Sequence, residues 1–270
     1  MIAIDHVELV ITGSVVHLSD LHFGAGRRLE QRCAELVGRL SAVDHVVVTG
    51  DITERGELDE LERFLAVFEP LARTRRLTVV PGNHDRLGDD IAELTMGGRR
   101  VAIERKPGLH LVLVDSTRPN PGWAFVAHGE LTPDDLDAID RAVDDAEPDA
   151  LVVVCMHHHP LPLAHESTLE ALGSALGLPF SEPLANGREL LARLHGRCDL
   201  VLHGHRHRPH AHALAGPRPL HVYNAGCSPA LGRARVFMHA RGRLLDAPRW
   251  IGEPERVGVR DLRASPASPA

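Results

Sequence analysis

Between residues 14 and 80 the chain alternates short apolar runs with helical stripes, and this rhythm leaves few folds open to it. The runs are Val15–Leu18, His45–Thr49 and Leu77–Val80, each of strand length. Between the first two, Leu29, Cys33, Leu36, Val37 and Leu40 recur at helical spacing. Between the last two, Leu58, Leu61, Phe64, Leu65, Phe68 and Leu71 do the same. Strand, helix, strand, helix, strand implies right-handed crossovers and a largely parallel sheet at this end of the chain.

Further strands are expected at 109–115, 151–156, 199–202, 219–223 and 234–240. Thr132 and Pro133 read as the N-cap and first position of a helix with Leu136, Ile139 and Val143 inward. The Asn186 to Glu189 spacing reads as a capping box for a helix through Leu194. No Pro/Gly/Ser linker divides the chain, so residues 1–252 are read as one domain. The irregular segment 161–185 is read as a loop or lid, and residues 253–270, ending ASPASPA, as a flexible tail.

Composition removes several classes of function. A formal charge of -7 and 3% aromatic content give little attraction or stacking surface for long nucleic acids. No apolar stretch approaches the roughly eighteen residues of a membrane span, and the start MIAIDHVELVI is broken by Asp5 and Glu8, so a cytoplasmic protein is expected. The four cysteines show no CxxC and are read as reduced, buried thiols. Lys106 is the only lysine among thirty basic residues, which reads as a coding bias towards arginine.

The polar residues that follow the strands carry the chemistry. After VVHL comes Ser19-Asp20-Leu21-His22; after HVVVT, Gly50-Asp51; after LTVV, Pro81-Gly82-Asn83-His84-Asp85. After LVVVCM comes His157-His158-His159-Pro160, and after DLVL, His203-Gly204-His205-Arg206-His207. Asp20 and His22 alone would read as turn decoration. In a parallel sheet, however, such ends share one edge, where residues far apart in sequence converge. Two divalent ions about 3.5–4 Å apart need a bridging anion, a part that Asp51 fits, and together they lower the pKa of a shared water towards about 7. Imidazoles and an amide oxygen complete coordination without repelling an anionic substrate.

All five motifs in this order resemble the calcineurin-like metallophosphoesterase superfamily, and VVHLSDLHFG resembles its bacterial class III cyclic-nucleotide phosphodiesterase branch. The resemblance spans about residues 14–226. It implies an α/β fold of four layers, α/β/β/α, with two mixed β-sheets flanked by helices. It also implies two divalent metal ions (manganese, iron, zinc or cobalt), one held by Asp20, His22 and His207 and the other by Asn83, His157 and His205, with Asp51 bridging. His84 is then expected to stabilise the phosphate or protonate the leaving alkoxide, with Asp85 orienting it. The family more often shows His-His-Pro-Pro where this chain has His157-His158-His159-Pro160; His158 and His159 read as neighbours of the metal ligands or as substrate-side groups. Asn224 and Gly226 resemble a late family motif near the site.

The function expected is hydrolysis of a small phosphodiester, such as a 3',5'-cyclic nucleotide, by attack of the bridging hydroxide. A phosphomonoesterase or nuclease of the same superfamily is the alternative within the class, and a non-catalytic metal-binding module the alternative outside it. Segments 116–130 and 161–185 are expected to shape the pocket, and Arg118 reads either as a phosphate contact or as a solvated arginine. Oligomeric state, a homodimer included, is not legible in these patterns.

Overall fold

A computed structural model describes residues 12–119, 127–163 and 183–252. The first half follows the expected alternation: β1 (Thr12–Leu18), α1 (Arg27–Gly38), β2 (His45–Thr49), α2 (Leu58–Arg73) and β3 (Leu77–Val80). A single 3-10 turn, His84–Arg86, leads to α3 (Ala92–Met96) and the hairpin β4 (Val101–Lys106) and β5 (Leu109–Val114). The second half contributes α4 (Pro133–Asp144), β6 (Leu151–Cys155), α5 (Gly187–Leu194), β7 (Leu200–His203), β8 (His210–Leu214) and β9 (Leu220–Asn224). It ends with α6 (Ser228–Leu231), β10 (Arg233–Ala240), β11 (Arg243–Leu244) and β12 (Arg249–Gly252).

These strands form two mixed sheets. The first has the order β11-β10-β1-β2-β3, with β12 also on β10; the second has the order β4-β5-β6-β7-β9-β8. Pairing is parallel through β1-β2-β3 and through β5-β6-β7-β9, and antiparallel at the flanking strands. The C-terminal ends of the parallel strands thus supply the loops that carry the motifs.

Strand alternation sorts the side chains into three cores. Val15, Val47 and Val80 meet Leu111, Val153, Leu202 and Phe237 between the sheets. Val16, Leu18, Val46 and Val48 face the other way, against Cys33, Leu36, Phe64 and Phe68 of α1 and α2. Val112, Val152 and Val154 pack on Leu136, Ile139, Leu190 and Leu194 of α4 and α5. Helices therefore cover both outer faces, giving the α/β/β/α layering. Pro70 lies inside α2, where a proline costs about 3 kcal/mol. Burial of Phe64, Phe68 and Leu71, each worth about 1.5–3 kcal/mol, outweighs it.

Two local expectations need correction. Thr132 does cap α4, in a reciprocal box with Asp135, but Asn186 makes no side-chain cap; its amide donates instead to the Leu131 carbonyl at 2.5 Å. Strands β4, β8, β11 and β12 had no apolar run to announce them. They sit at or near sheet margins, and β8 is exposed over most of its length. All four cysteines are buried free thiols. Among the described residues no helix is long and apolar enough to cross a membrane. Most of the segment expected to be a lid (164–182), the C-terminal residues 253–270 and residues 120–126 lie outside the described residues.

Candidate metal centre

Four of the residues expected to ligate metal sit in left-handed backbone: Asp20 (φ 54°), His22 (50°), Asp51 (50°) and His205 (70°). Each such residue costs about 1–3 kcal/mol and persists only when its surroundings over-determine it. The loops after β1 and β2 supply that constraint by zipping together. Leu21 and His22 amides donate to the Asp51 carbonyl at 2.8 and 3.0 Å, Phe23 donates to Ile52 at 2.9 Å, and Glu54 donates back to Phe23 at 2.9 Å. Glycine permits the approach, since a Cβ on Gly82 would lie 2.2 Å from the Asp51 carboxylate.

The side chains converge in two groups around Asp51. On one side, His22 Nε2 and His207 Nε2 lie 3.3 Å apart. His207 Nε2 is 3.7 Å from Asp20 Oδ1, and His22 Nε2 is 4.0 Å from Asp51 Oδ2. On the other side, His157 Nε2 lies 3.1 Å from Asn83 Oδ1 and 3.3 Å from Asp51 Oδ2, while His205 Nδ1 is 3.0 Å from Asn83 Oδ1. All seven residues expected as ligands are therefore together. All but His205 and His207 are buried, and the His207 side chain is 52% exposed, which opens one flank of the cluster to solvent.

Charge in this cluster is unbalanced in a way a cation would correct. His157 Nδ1 lies 2.7 Å from the Thr49 carbonyl, which can only accept, so that nitrogen carries the proton. Its Nε2 faces two further acceptors, Asp51 Oδ2 and Asn83 Oδ1, so that nitrogen needs either a second proton or a cation between it and them. Asp20 Oδ2 is buried with no hydrogen-bond partner. The titration behaviour says the same. Burial alone would lower His22, but Glu54, Asp51 and Asp20 push it up to about 9; His157 rises to about 9 against the same penalty, through Asp51 and Asp20. Burial raises Asp20, whereas the histidines around Asp51 outweigh its burial and hold it well below the usual carboxylate range. Oxygen and imidazole donors at these spacings suit divalent transition metals.

A family model for calcineurin-like phosphoesterase matches residues 13–209. The chain belongs to the calcineurin-like phosphoesterase family. Among curated relatives, a 3',5'-cyclic adenosine monophosphate phosphodiesterase of Pseudomonas aeruginosa is 32% identical over 173 residues, 56% of this chain and 57% of that protein. A cAMP/cGMP dual specificity phosphodiesterase of Mycobacterium tuberculosis is 26% identical over 238 residues, 79% of this chain and 67% of that protein. The chain thus spans little more than half the length of the first relative. The fold is shared with the purple acid phosphatase PPD1 of yellow lupin, with TM-score 0.66 and 14% identity over 90% of this chain and 52% of that one. It is also shared with a dimetal phosphatase of Danio rerio, with TM-score 0.59 and 15% identity over 89% of this chain and 98% of that one.

Around the calcineurin-like cluster lies a shell of residues, of which sequence reasoning gave no role to Glu54, Ser19 and Thr49. Glu54 Oε2 meets His22 Nδ1 at 2.8 Å, which fixes the ring and leaves Nε2 facing inward. Ser19 Oγ donates to the Thr49 carbonyl that also receives His157. Asn224 donates to the Gly204 carbonyl and accepts from Gly226, bracing the loop that holds His205 and His207. His158 has both ring nitrogens engaged, with Ser116 Oγ at 2.9 Å and the Ala127 carbonyl at 3.1 Å, so neither is available as a ligand. The His159 ring stacks on His205 with centroids 5.4 Å apart. Arg118 pairs with Glu130 at 3.0 Å and with His128, so its charge is already engaged.

Asp85 needs a correction of role. Its buried carboxylate accepts from the Gly82, Ile52 and Thr53 amides and from Thr53 Oγ1, stapling the Asp51 loop to the Asn83 loop. His84 is set by other groups. Its Nδ1 lies 2.7 Å from the Glu54 carbonyl, its amide donates to Asp51 Oδ1 at 2.9 Å, and its ring centroid is 4.9 Å from that of His22.

Proposed function

We propose that the chain is a dinuclear metal-dependent phosphodiesterase that hydrolyses small phosphodiesters, 3',5'-cyclic nucleotides among them. The observation that carries this reading is the meeting of side chains from five strand ends around Asp51, with His157 Nε2 3.1 Å from Asn83 Oδ1 and 3.3 Å from Asp51 Oδ2. Asp20, His22 and His207 would hold one cation, Asn83, His157 and His205 the other, and Asp51 would bridge them. Manganese, iron, zinc and cobalt all suit the donor set. When bound, such a pair supplies a water of lowered pKa and offsets negative charge on phosphoryl oxygens.

The chain's own residues do the rest. Thr49 and Glu54 fix the tautomers of His157 and His22, so the inward nitrogens are preorganised. Asp51 is kept anionic by the surrounding histidines and is ready to bridge. His84, with Nδ1 held on the Glu54 carbonyl, has Nε2 as the nitrogen from which a proton can pass to the departing alkoxide. The diester reading rests on the cyclic-nucleotide relatives, whose names state that substrate class.

The test is hydrolysis of bis(p-nitrophenyl) phosphate and of 3',5'-cyclic AMP by metal-stripped protein reconstituted with manganese, beside Asp51→Asn. Turnover of both compounds by the wild type alone is expected. Hydrolysis of p-nitrophenyl phosphate with neither diester attacked would make the chain a monoesterase instead.

A further inference from the structure

Two cavities adjoin on the flank where the edge strands β3 and β4 of the two sheets meet, and they differ in chemistry. One, of about 580 Å³, is walled by apolar side chains of α2, α3 and β3, including Leu61, Phe64, Leu77 and Val79. Leu65 and Leu94, 47% and 64% exposed, also line it. The other, of about 360 Å³, is bordered by Arg76, His45 and His239. Arg75 and Lys106 border both. Lys106 Nζ donates to the Arg75 carbonyl at 2.8 Å and pairs with Glu104 at 2.6 Å.

Arg75 itself sits in a conformation that asks for glycine. It follows α2 with φ 55°, and the Arg75 and Arg76 amides return to the Ala72 and Leu71 carbonyls, the Schellman pattern whose left-handed position usually holds glycine. Arginine is kept there against its backbone preference, and an outlier of that kind points to a use for the side chain. Two acids line the cavities, Glu104 the apolar one and Asp44 the other, and both are engaged: Asp44 accepts from the Ser14 amide and hydroxyl, and Glu104 accepts from Thr78 and Lys106. Among the described residues Arg75 has no acidic partner.

We propose that these cavities form one binding site for a long-chain fatty carboxylate, its alkyl chain among Leu65, Phe64 and Leu94 and its carboxylate on Arg75, beside the Lys106–Glu104 pair. Volume and charge both favour this occupant. Cavities that take small ligands span about 300–1,000 Å³, mostly apolar with a few placed polar groups. Roughly one to two turns of an α-helix, about 10 Å across, would fill the apolar cavity, which leaves little room for a docked helical partner. Ile52, adjacent to Asp51, lines the same cavity, although the proposal does not depend on the metal centre.

The experiment is calorimetric titration of palmitate, below its micelle concentration, into the full chain. Saturable one-to-one binding is expected, together with protection of Lys106, the only lysine, from an amine-reactive label located by peptide mapping. Arg75→Gly should raise the melting temperature, because it relieves the left-handed backbone, while weakening palmitate about tenfold through loss of a charge-assisted contact. Leu94→Glu should also weaken binding, and hexadecanol should bind more weakly than palmitate. Absence of saturable binding, or equal affinity in Arg75→Gly, would overturn the proposal. So would a wild-type dimer that Leu94→Glu dissociates without any palmitate binding, since the groove would then be an interface between copies.

Discussion

His157 and Thr49 are 108 positions apart in the chain, yet His157 Nδ1 lies 2.7 Å from the Thr49 carbonyl. That contact ties the end of β6 in one sheet to the end of β2 in the other and aims His157 Nε2 at Asp51. His157→Ala should therefore remove one metal equivalent and lower turnover by more than about 100-fold, a larger effect than loss of an outer partner. Metal analysis of the purified variant beside its kinetics checks this; full metal content would remove His157 from the ligand set.

Glu54 acts one step further out. Without its carboxylate, His22 loses the contact that fixes its ring, and Glu54→Ala should weaken metal binding about 10- to 100-fold with the fold intact. Competition with a chelator of known affinity measures the change. An unchanged affinity would make the Glu54 contact incidental.

Asp85 and His84 are neighbours with opposite expected phenotypes. Asp85→Ala leaves the buried Gly82, Ile52 and Thr53 amides without their acceptor, and at roughly 1–3 kcal/mol for each unmet donor it should destabilise the protein by about 3 kcal/mol or more. His84→Ala should keep stability and metal content but lower turnover about 10²- to 10⁴-fold. Denaturant melts, metal content and kcat on both variants separate the roles. Loss of a metal from His84→Ala would make His84 a ligand, a reading its place near His22 and Asp51 also permits.

The metal-free protein should show a distinctive pH profile. His22 and His157 are raised from 6.5 to about 9, so the stability they contribute is complete below the unfolded value near 6.5 and is lost as pH rises through about 9. Stripped protein should therefore melt at progressively lower temperature across that window. Bound divalent metal competes with the same protons, so loaded protein should gain stability over it. Thermal melts of both forms test the sign, and a stripped protein that becomes more stable with rising pH would contradict it.

Much of this site could be read from the chain because its candidate ligands are punctuation: each follows a run of apolar residues that must be a strand. Asp20, Asp51, Asn83, His157 and His205 were placed by that logic, and parallel pairing brought their strand ends together. Glu54, Thr49 and Ser19 were not legible, because their contributions depend on which backbone groups the loops turn inward. Thr49 contributes only a carbonyl, which no residue type encodes. Asp85 was misread for a related reason. Adjacency to His84 suggested a partner, but the turn at His84–Arg86 sends the two side chains to different groups. Strands such as β4 and β8 escaped because marginal strands bury too little to show an apolar run.

The central claim, that strand ends of both sheets build one two-metal centre bridged by Asp51, is tested most directly by titrating manganese into metal-stripped protein and counting the equivalents bound. The wild type should take up two per chain, and Asp51→Asn at most one with sharply lower affinity. A wild type that binds none, or an Asp51→Asn variant that binds two as tightly, would contradict it.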